Sequence, residues 1–258
     1  MNVDPSLILR AEGVCKSFGR LRAVDNLSLD LGVGETLVIV GESGSGKSTL
    51  LSMLAGRQSI DSGRLSYQSR QGWVNLQTLS ERDRRRLSRT EWGFLQQHGH
   101  EALRPHVSAG GHVSERLMVN GHRHYGKIRA EVASWMQRVE LDPRRMDESP
   151  RVFSGGMQQR LRLIANLISS PRLLFMDEPT TGLDVSVQAR LLDLLKTLRA
   201  QLGLSMILVT HDLGVARMLA DRILVMLNGE LVEAGLADQV LEDPQHAYTQ
   251  QLVASSLL

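Results

Sequence analysis

One cysteine, Cys15, stands among 258 residues. That excludes an intramolecular disulfide and any iron–sulfur cluster held by several thiolates. Aromatic residues make up only 4%. Lysine is scarce: Lys16, Lys47, Lys127 and Lys196 are the four among 30 Lys and Arg residues. These face 28 Asp and Glu, leaving a formal net charge of +2. A balance this even does not point to a nucleic-acid binder. No apolar run approaches the roughly 18 residues of a membrane-spanning helix. The N-terminus carries Asp4 and no apolar h-region, so no signal peptide is expected. What remains is the composition of an ordinary soluble protein, with 42% hydrophobic and 22% charged residues and enough length to bury a core.

The pattern along the chain alternates strands with helices. Short β-type runs open it at Leu7–Val14 and Leu27–Leu31, and Thr36–Val40 is continuously apolar, as a parallel strand buried on both faces must be. Residues 63–79 read as a polar hairpin or loose strands, and Trp92–Gln97 as a strand. Residues 113–140 carry helical periodicity, with Ile128, Val132, Trp135, Met136 and Val139 on one face. Arg172–Met176 is a second buried strand. A helix is expected from about Val185 to Leu202, with Gly203 where a C-terminal cap belongs, followed by strand Ser205–Thr210. Asn228-Gly229 between two apolar runs predicts a type I′ hairpin. The last twenty residues read as two short helices. The order predicts a mainly parallel sheet with its reactive loops at the strand C-termini. The stretch Glu81–Arg89 is rich in arginine but interrupted by acids, and is either a solvated helix face or a partner-docking surface.

Gly41-Glu42-Ser43-Gly44-Ser45-Gly46-Lys47-Ser48 fits the G-x-x-x-x-G-K-[ST] pattern between a strand and a helix. Glycines let successive N–H groups turn inward around phosphate oxygens, and the helix N-terminus adds donors and the positive end of its dipole. Lys47 should reach the β- and γ-phosphates, and the Ser48 hydroxyl should ligate Mg²⁺. Asp177 and Glu178 end a buried strand, where two carboxylates need a cation or hydrogen-bond partners. Asp177 would orient Mg²⁺, and Glu178, pointing the other way, would polarise the attacking water. Ser154-Gly155-Gly156 opens a helix with a serine cap and bare backbone, a start that suits a phosphate. His211 follows the strand ending at Thr210. Six further histidines lie between His98 and His124; they could suggest a metal, but no spacing resembles a zinc site.

The order of these motifs closely resembles the nucleotide-binding domains of the ATP-binding-cassette (ABC) superfamily. It runs from the P-loop through Gln97, Ser154-Gly155-Gly156, Asp177-Glu178 and Gly182-Leu183-Asp184 to His211, and so spans essentially the whole chain. The resemblance implies an α/β P-loop fold with a mainly parallel sheet core, an antiparallel β part and an inserted helical subdomain. It implies one domain over residues 1–258, with helices over about 98–165 and a helical tail over about 236–258. Two cassettes would meet head to tail, as a homodimer or with a sibling, each binding ATP and Mg²⁺ between its P-loop, Gly41 to Thr49, and the partner's Ser154, Gly155 and Gly156. Gln97 would sense Mg²⁺ and the γ-phosphate, with Gln96 beside it as the other candidate. Asp184 would serve in the D-loop, His211 as the switch histidine, and Phe18 would stack on adenine. Met157 replaces the usual glutamine of the signature and Gly182 a common alanine; neither removes a catalytic group.

A narrower match divides two ways. The tail Asp243-Pro244-Gln245-His246-Ala247-Tyr248-Thr249 resembles that of di- and oligopeptide importer ATPases. Closer is the resemblance to the ABC proteins of the carbon–phosphorus lyase system. It is carried by Asp83–Leu87, Arg89–Gly93, Val107–Gly111, Glu115–Met118, His124–Gly126 and Gly182–Leu192. This association implies a cytoplasmic ATPase docked on soluble lyase core subunits during phosphonate breakdown. The importer alternative implies a permease partner at the inner membrane instead. DNA-repair and translation ABC proteins, with two cassettes or long coiled-coil insertions, fit this length poorly.

Overall fold

The computed structural model describes residues 4–96 and 103–255. Two sheets organise them. Strands β1 (Leu7–Phe18), β2 (Leu21–Gly32), β4 (Ser62–Ser69) and β5 (Gly72–Asn75) form an antiparallel sheet in the order β2-β1-β4-β5. The second sheet runs β10-β9-β3-β8-β7-β6, built from β3 (Thr36–Val40), β6 (Trp92–Leu95), β7 (Leu173–Asp177), β8 (Ser205–Val209), β9 (Arg222–Leu227) and β10 (Glu230–Leu236). All its pairings are parallel except the edge pair β9–β10, which the Asn228-Gly229 turn makes antiparallel. A parallel core with an antiparallel part is thus what the sequence predicts.

β3 is buried at all five positions because an apolar core lies on each side of it. Val38 and Val40 belong to the apolar cluster that also takes in helices α3 (Ala109–Val119), α4 (Tyr125–Arg138), α5 (Gly155–Leu167) and α6 (Val185–Leu202). Leu37 and Ile39 face α1 (Lys47–Leu54) and the antiparallel sheet. This period-two division is what allows a fully apolar strand to serve two cores.

The expected single helical stretch over 113–140 is two helices. α3 stops at Val119, Asn120 caps it, Gly121 turns at φ +97°, and α4 begins after His124, whose Nδ1 accepts the Lys127 N–H at 3.2 Å. The apolar periodicity runs across this break, which hides it. The strand expected over Trp92–Gln97 ends at Leu95, and the opening strands extend further than expected, to Phe18 and from Leu21. The arginine-rich stretch is α2 (Glu81–Thr90), capped by Ser80 and burying only Leu87. α6 ends at Gly203 in the left-handed conformation, as predicted. α7 (Leu213–Leu219) follows β8, and α8 (Ala237–Glu242) and α9 (Ala247–Ser255) form the tail. Among the described residues no helix is long and apolar enough to cross a membrane.

Candidate nucleotide site

The C-terminal ends of β3, β7 and β8 converge, and each delivers one part of the site. The loop Gly41–Gly46 leaves β3 and enters α1 at Lys47. It is pressed tightly against its neighbours: a Cβ at Gly41 would lie 2.2 Å from the Met226 carbonyl oxygen, and one at Gly46 2.0 Å from that of Ala23. Both glycines also have positive φ, +146° and +99°. Only glycine satisfies both demands. The loop curls around the Lys47 ammonium, which donates to the carbonyl oxygens of Gly41 at 2.7 Å and Glu42 at 2.6 Å. Burial lowers the Lys47 pKa, against the pull of Glu178, Asp177 and Glu42, which favour the charged form. A buried ammonium inside a ring of backbone is a ready partner for an anion of several charges.

At the end of β7, Asp177 meets α1: the Ser48 hydroxyl donates to Asp177 Oδ1 at 2.9 Å. One hydroxyl and one carboxylate suit a hard cation such as Mg²⁺, which typically takes one or two carboxylates and completes its shell with water and phosphate oxygens. Among the described residues no cluster of three His, Cys, Asp or Glu side chains could hold a metal by itself. Of the histidines described in the 98–124 stretch, His112 Nε2 lies 3.0 Å from the Arg104 carbonyl oxygen and His124 Nδ1 accepts the Lys127 N–H.

Glu178 is the first residue past β7 and adopts φ +48°, unusual for a residue with a side chain. Its N–H donates to the Val209 carbonyl oxygen at 2.9 Å, which fastens the turn to β8. Its carboxylate accepts from the His211 N–H at 3.1 Å and lies 2.7 Å from His211 Nδ1. Thr210 and Thr181 hydroxyls approach the other oxygen at 3.4 and 3.3 Å. Glu178 and His211, 33 residues apart, thus form one unit beside Lys47.

Ser154 caps α5 by accepting the Met157 N–H at 3.4 Å. No hydrogen bond among the described residues joins Ser154, Gly155 or Gly156 to the P-loop. Gly156 instead packs on the start of α6, where a Cβ would come within 2.5 Å of Val187 Cγ1. Asp184 caps α6 through the Val187 N–H at 2.9 Å, and hydrogen bonds led by that from the Ser186 hydroxyl lower its pKa. Phe18 ends β1 with half its surface exposed, so it is not a core ring, and the Lys16 ammonium lies 5.6 Å from its centroid. Ser43, Gly44, Ser45 and Thr49 complete the loop and the first turn of α1. Gln97 lies outside the described residues.

Two contributors escaped the sequence reading. Gln159 on α5, 8% exposed, donates to the Pro179 carbonyl oxygen at 2.7 Å and accepts from Arg162 Nη1 at 2.9 Å. It ties the helix that begins at Ser154 to the turn that carries Glu178. Tyr248, in the tail, accepts the Glu42 N–H at 2.8 Å.

Residues 24–181 match the ABC transporter family. The chain is 56% identical over 236 residues to an Escherichia coli (strain K12) protein named for phosphonates utilization, the ATP-binding protein PhnK, covering 92% of each chain. It is 36% identical over 246 residues to the oligopeptide transport ATP-binding protein OppD of Bacillus subtilis (strain 168), covering 92% of this chain and 67% of that one. Among solved structures, the dimeric post-hydrolysis state of the ATP-binding cassette MJ0796 bound to ADP and Pi aligns with a TM-score of 0.79 at 27% identity. That alignment covers 89% of this chain and 99% of the other. The glycine loop around Lys47, the Ser48–Asp177 pair and the Glu178–His211 pair therefore stand on a cassette fold, and the chain belongs to the ABC transporter family as an ATPase of the PhnK type.

Proposed function

We propose that this ATPase serves phosphonate utilisation by coupling ATP hydrolysis to soluble subunits of a carbon–phosphorus lyase assembly. The observation that carries the reading is the 56% identity to PhnK over 92% of both chains, against 36% for the peptide-transport relative.

In this reading ATP lies on residues 41–49 with its terminal phosphates at Lys47, and Phe18 stacks on the adenine. Ser48, Asp177 and Gln97 hold Mg²⁺, the aspartate through water; the ion supplies charge neutralisation at the phosphates. Glu178 accepts the proton of the attacking water, and His211, bonded to that carboxylate, orients it and contacts the γ-phosphate. A second cassette, another copy or a sibling, closes the site with its Ser154, Gly155, Gly156 and Asp184. The dimeric state of the MJ0796 cassette with ADP and Pi supports this arrangement. The setting is cytoplasmic.

Partner docking is assigned to the groove between α2, β6 and α3. Its clefts, of about 380 and 390 Å³, share Arg89, Phe94 and Arg116. Arg57 lies over the Phe94 ring at 3.5 Å. Arg116 donates to the Trp92 carbonyl oxygen at 2.7 Å, and burial pushes its pKa down to about 10, so it stays charged at neutral pH. Among the described residues Arg57, Arg89 and Arg116 have no carboxylate partner; Arg85 pairs with Glu81, while Arg84 and Arg86 donate to the neutral Leu76 carbonyl and Gln71 amide oxygens. Excess positive charge beside an aromatic ring fits an acidic surface on the partner.

The test is binding of the purified protein to purified lyase core, with ATPase assayed in parallel. Arg89→Glu should weaken binding about tenfold or more, as a reversed interface charge does, and leave basal ATPase within about twofold. Failure of the wild-type protein to bind the core, with co-purification of a membrane permease, replaces this reading with the importer one.

A further inference from the structure

The tail segment Asp243–Thr249 has no part in the catalytic arrangement above, yet it reaches the P-loop. Glu42 and Tyr248 are 206 residues apart, and the Glu42 N–H donates to the Tyr248 hydroxyl oxygen at 2.8 Å. The approach is built from several sides. Glu233 on β10 accepts the N–H groups of Gln245 at 2.8 Å and His246 at 3.0 Å, fixing the loop before α9. His246 Nδ1 accepts the Tyr248 N–H at 3.2 Å. Thr249, the next residue, is 1% exposed, and Tyr248 itself packs on the main core. The ring is thus placed by its surroundings rather than left to find Glu42.

On its other side, Glu42 offers its carbonyl oxygen to the Lys47 ammonium at 2.6 Å. A continuous path therefore runs from the tail through one residue of the P-loop to the phosphate-binding lysine. The loop's far end has an external tether too, since the Gly229 N–H donates to the Ser45 carbonyl oxygen at 3.0 Å. A Lys47 that turned toward a phosphate would give up the Gly41 and Glu42 carbonyls that it meets here. The Tyr248 bond runs to the Glu42 N–H and does not involve the lysine.

The geometry points to Tyr248 as a positioning residue for ATP binding, a latch by which the C-terminal tail holds the P-loop entry in its phosphate-ready shape. A loop held in advance loses less freedom on binding, so the latch acts on affinity and not on the chemical step. The inference rests on residues 41–49 being the ATP site proposed above.

The test is Tyr248→Phe, which removes one oxygen and keeps the ring. KM for ATP and the Kd for Mg-ADP should rise threefold to tenfold, the scale of one hydrogen bond. The kcat should stay within about twofold. Amide hydrogen exchange should quicken at Glu42 and remain unchanged across α9. Unchanged KM and Kd overturn the latch while leaving the ATP site intact. Faster exchange throughout α9 with a fall in kcat overturns it too, by showing that the hydroxyl serves only the packing of the tail. A wild-type protein that binds no nucleotide refutes the site itself, a separate failure seen in the same titration.

Discussion

Replacing Glu178 by glutamine asks whether this carboxylate does the chemistry or only holds the turn. The structure separates the two. The backbone of Glu178 is fixed through its own N–H to the Val209 carbonyl, a bond the substitution does not touch. Glutamine keeps a carbonyl oxygen for the His211 N–H and ring, now at 3.1 and 2.7 Å from the carboxylate. Its new amide group would face the Thr181 and Thr210 hydroxyls, which can turn from donating to accepting. Folding should therefore cost little, with the melting temperature within about 2–4 °C of wild type, the scale of 1 kcal/mol for a chain of this size. What disappears is the proton acceptor. General-base catalysis is worth about 10²- to 10⁴-fold, or roughly 2.7 to 5.4 kcal/mol of activation free energy. Glu178→Gln should bind Mg-ATP with near wild-type affinity by calorimetry and release phosphate at least about a hundredfold more slowly in steady state. A folded, nucleotide-binding variant that keeps more than about a tenth of the wild-type turnover would refute the reasoning, since a tenfold loss is below what a lost base accounts for.

Lys47→Ala should act on binding itself: affinity for Mg-ADP should fall by at least about tenfold, the lower scale of a charge-assisted hydrogen bond, and unchanged calorimetry would show that the ammonium does not meet the phosphates. Gln159→Leu leaves the Pro179 carbonyl oxygen without this donor and takes the acceptor from Arg162 Nη1, in a site where Nε and Nη2 already have none among the described residues. A loss of about 2–4 kcal/mol is expected from the urea unfolding midpoint, and a change under about 0.5 kcal/mol would show that water replaces the amide without cost.

The parts of the site that are local in sequence were legible from it. Strand, glycine loop, lysine and hydroxyl occupy residues 36–48 in one run, so the phosphate loop could be read without knowing what surrounds it. The apolar strands before Asp177 and His211 were equally plain, because burial on both faces demands an unbroken apolar run. Contacts that join distant segments left no such trace. Nothing in Gln-Gln-Arg at 158–160 distinguishes the buried amide of Gln159 from its neighbour, and Tyr248 gains its meaning only when the tail is laid beside the loop that follows β3. The break between α3 and α4 did have a signal, Asn120-Gly121, but the helical periodicity read over 113–140, on Ile128, Val132, Trp135, Met136 and Val139, took no account of it. The arginine stretch shows the opposite limit. Its charges were visible, while which of them are already spent on Glu81, Gln71 and Leu76 depends on the folded neighbours.

The division of β3 between two cores bears on how such a chain can change over time. Leu37 and Ile39 answer to one set of neighbours and Val38 and Val40 to another, so a substitution in this strand is tested against both halves of the molecule at once. The outward surfaces of α2, α3 and α4 face no such double test, since only their inner stripes enter a core. Drift is therefore channelled to the surface of those helices while the sheet that carries the phosphate residues stays still. A descendant could acquire a new partner by altering residues such as Arg89 or Val119 without disturbing hydrolysis. Swapping whole helices would be a different matter, because Val113, Leu117, Val132 and Met136 belong to the same continuous apolar cluster as Leu163 and Met176, and a transplant must match that seam to fold at all.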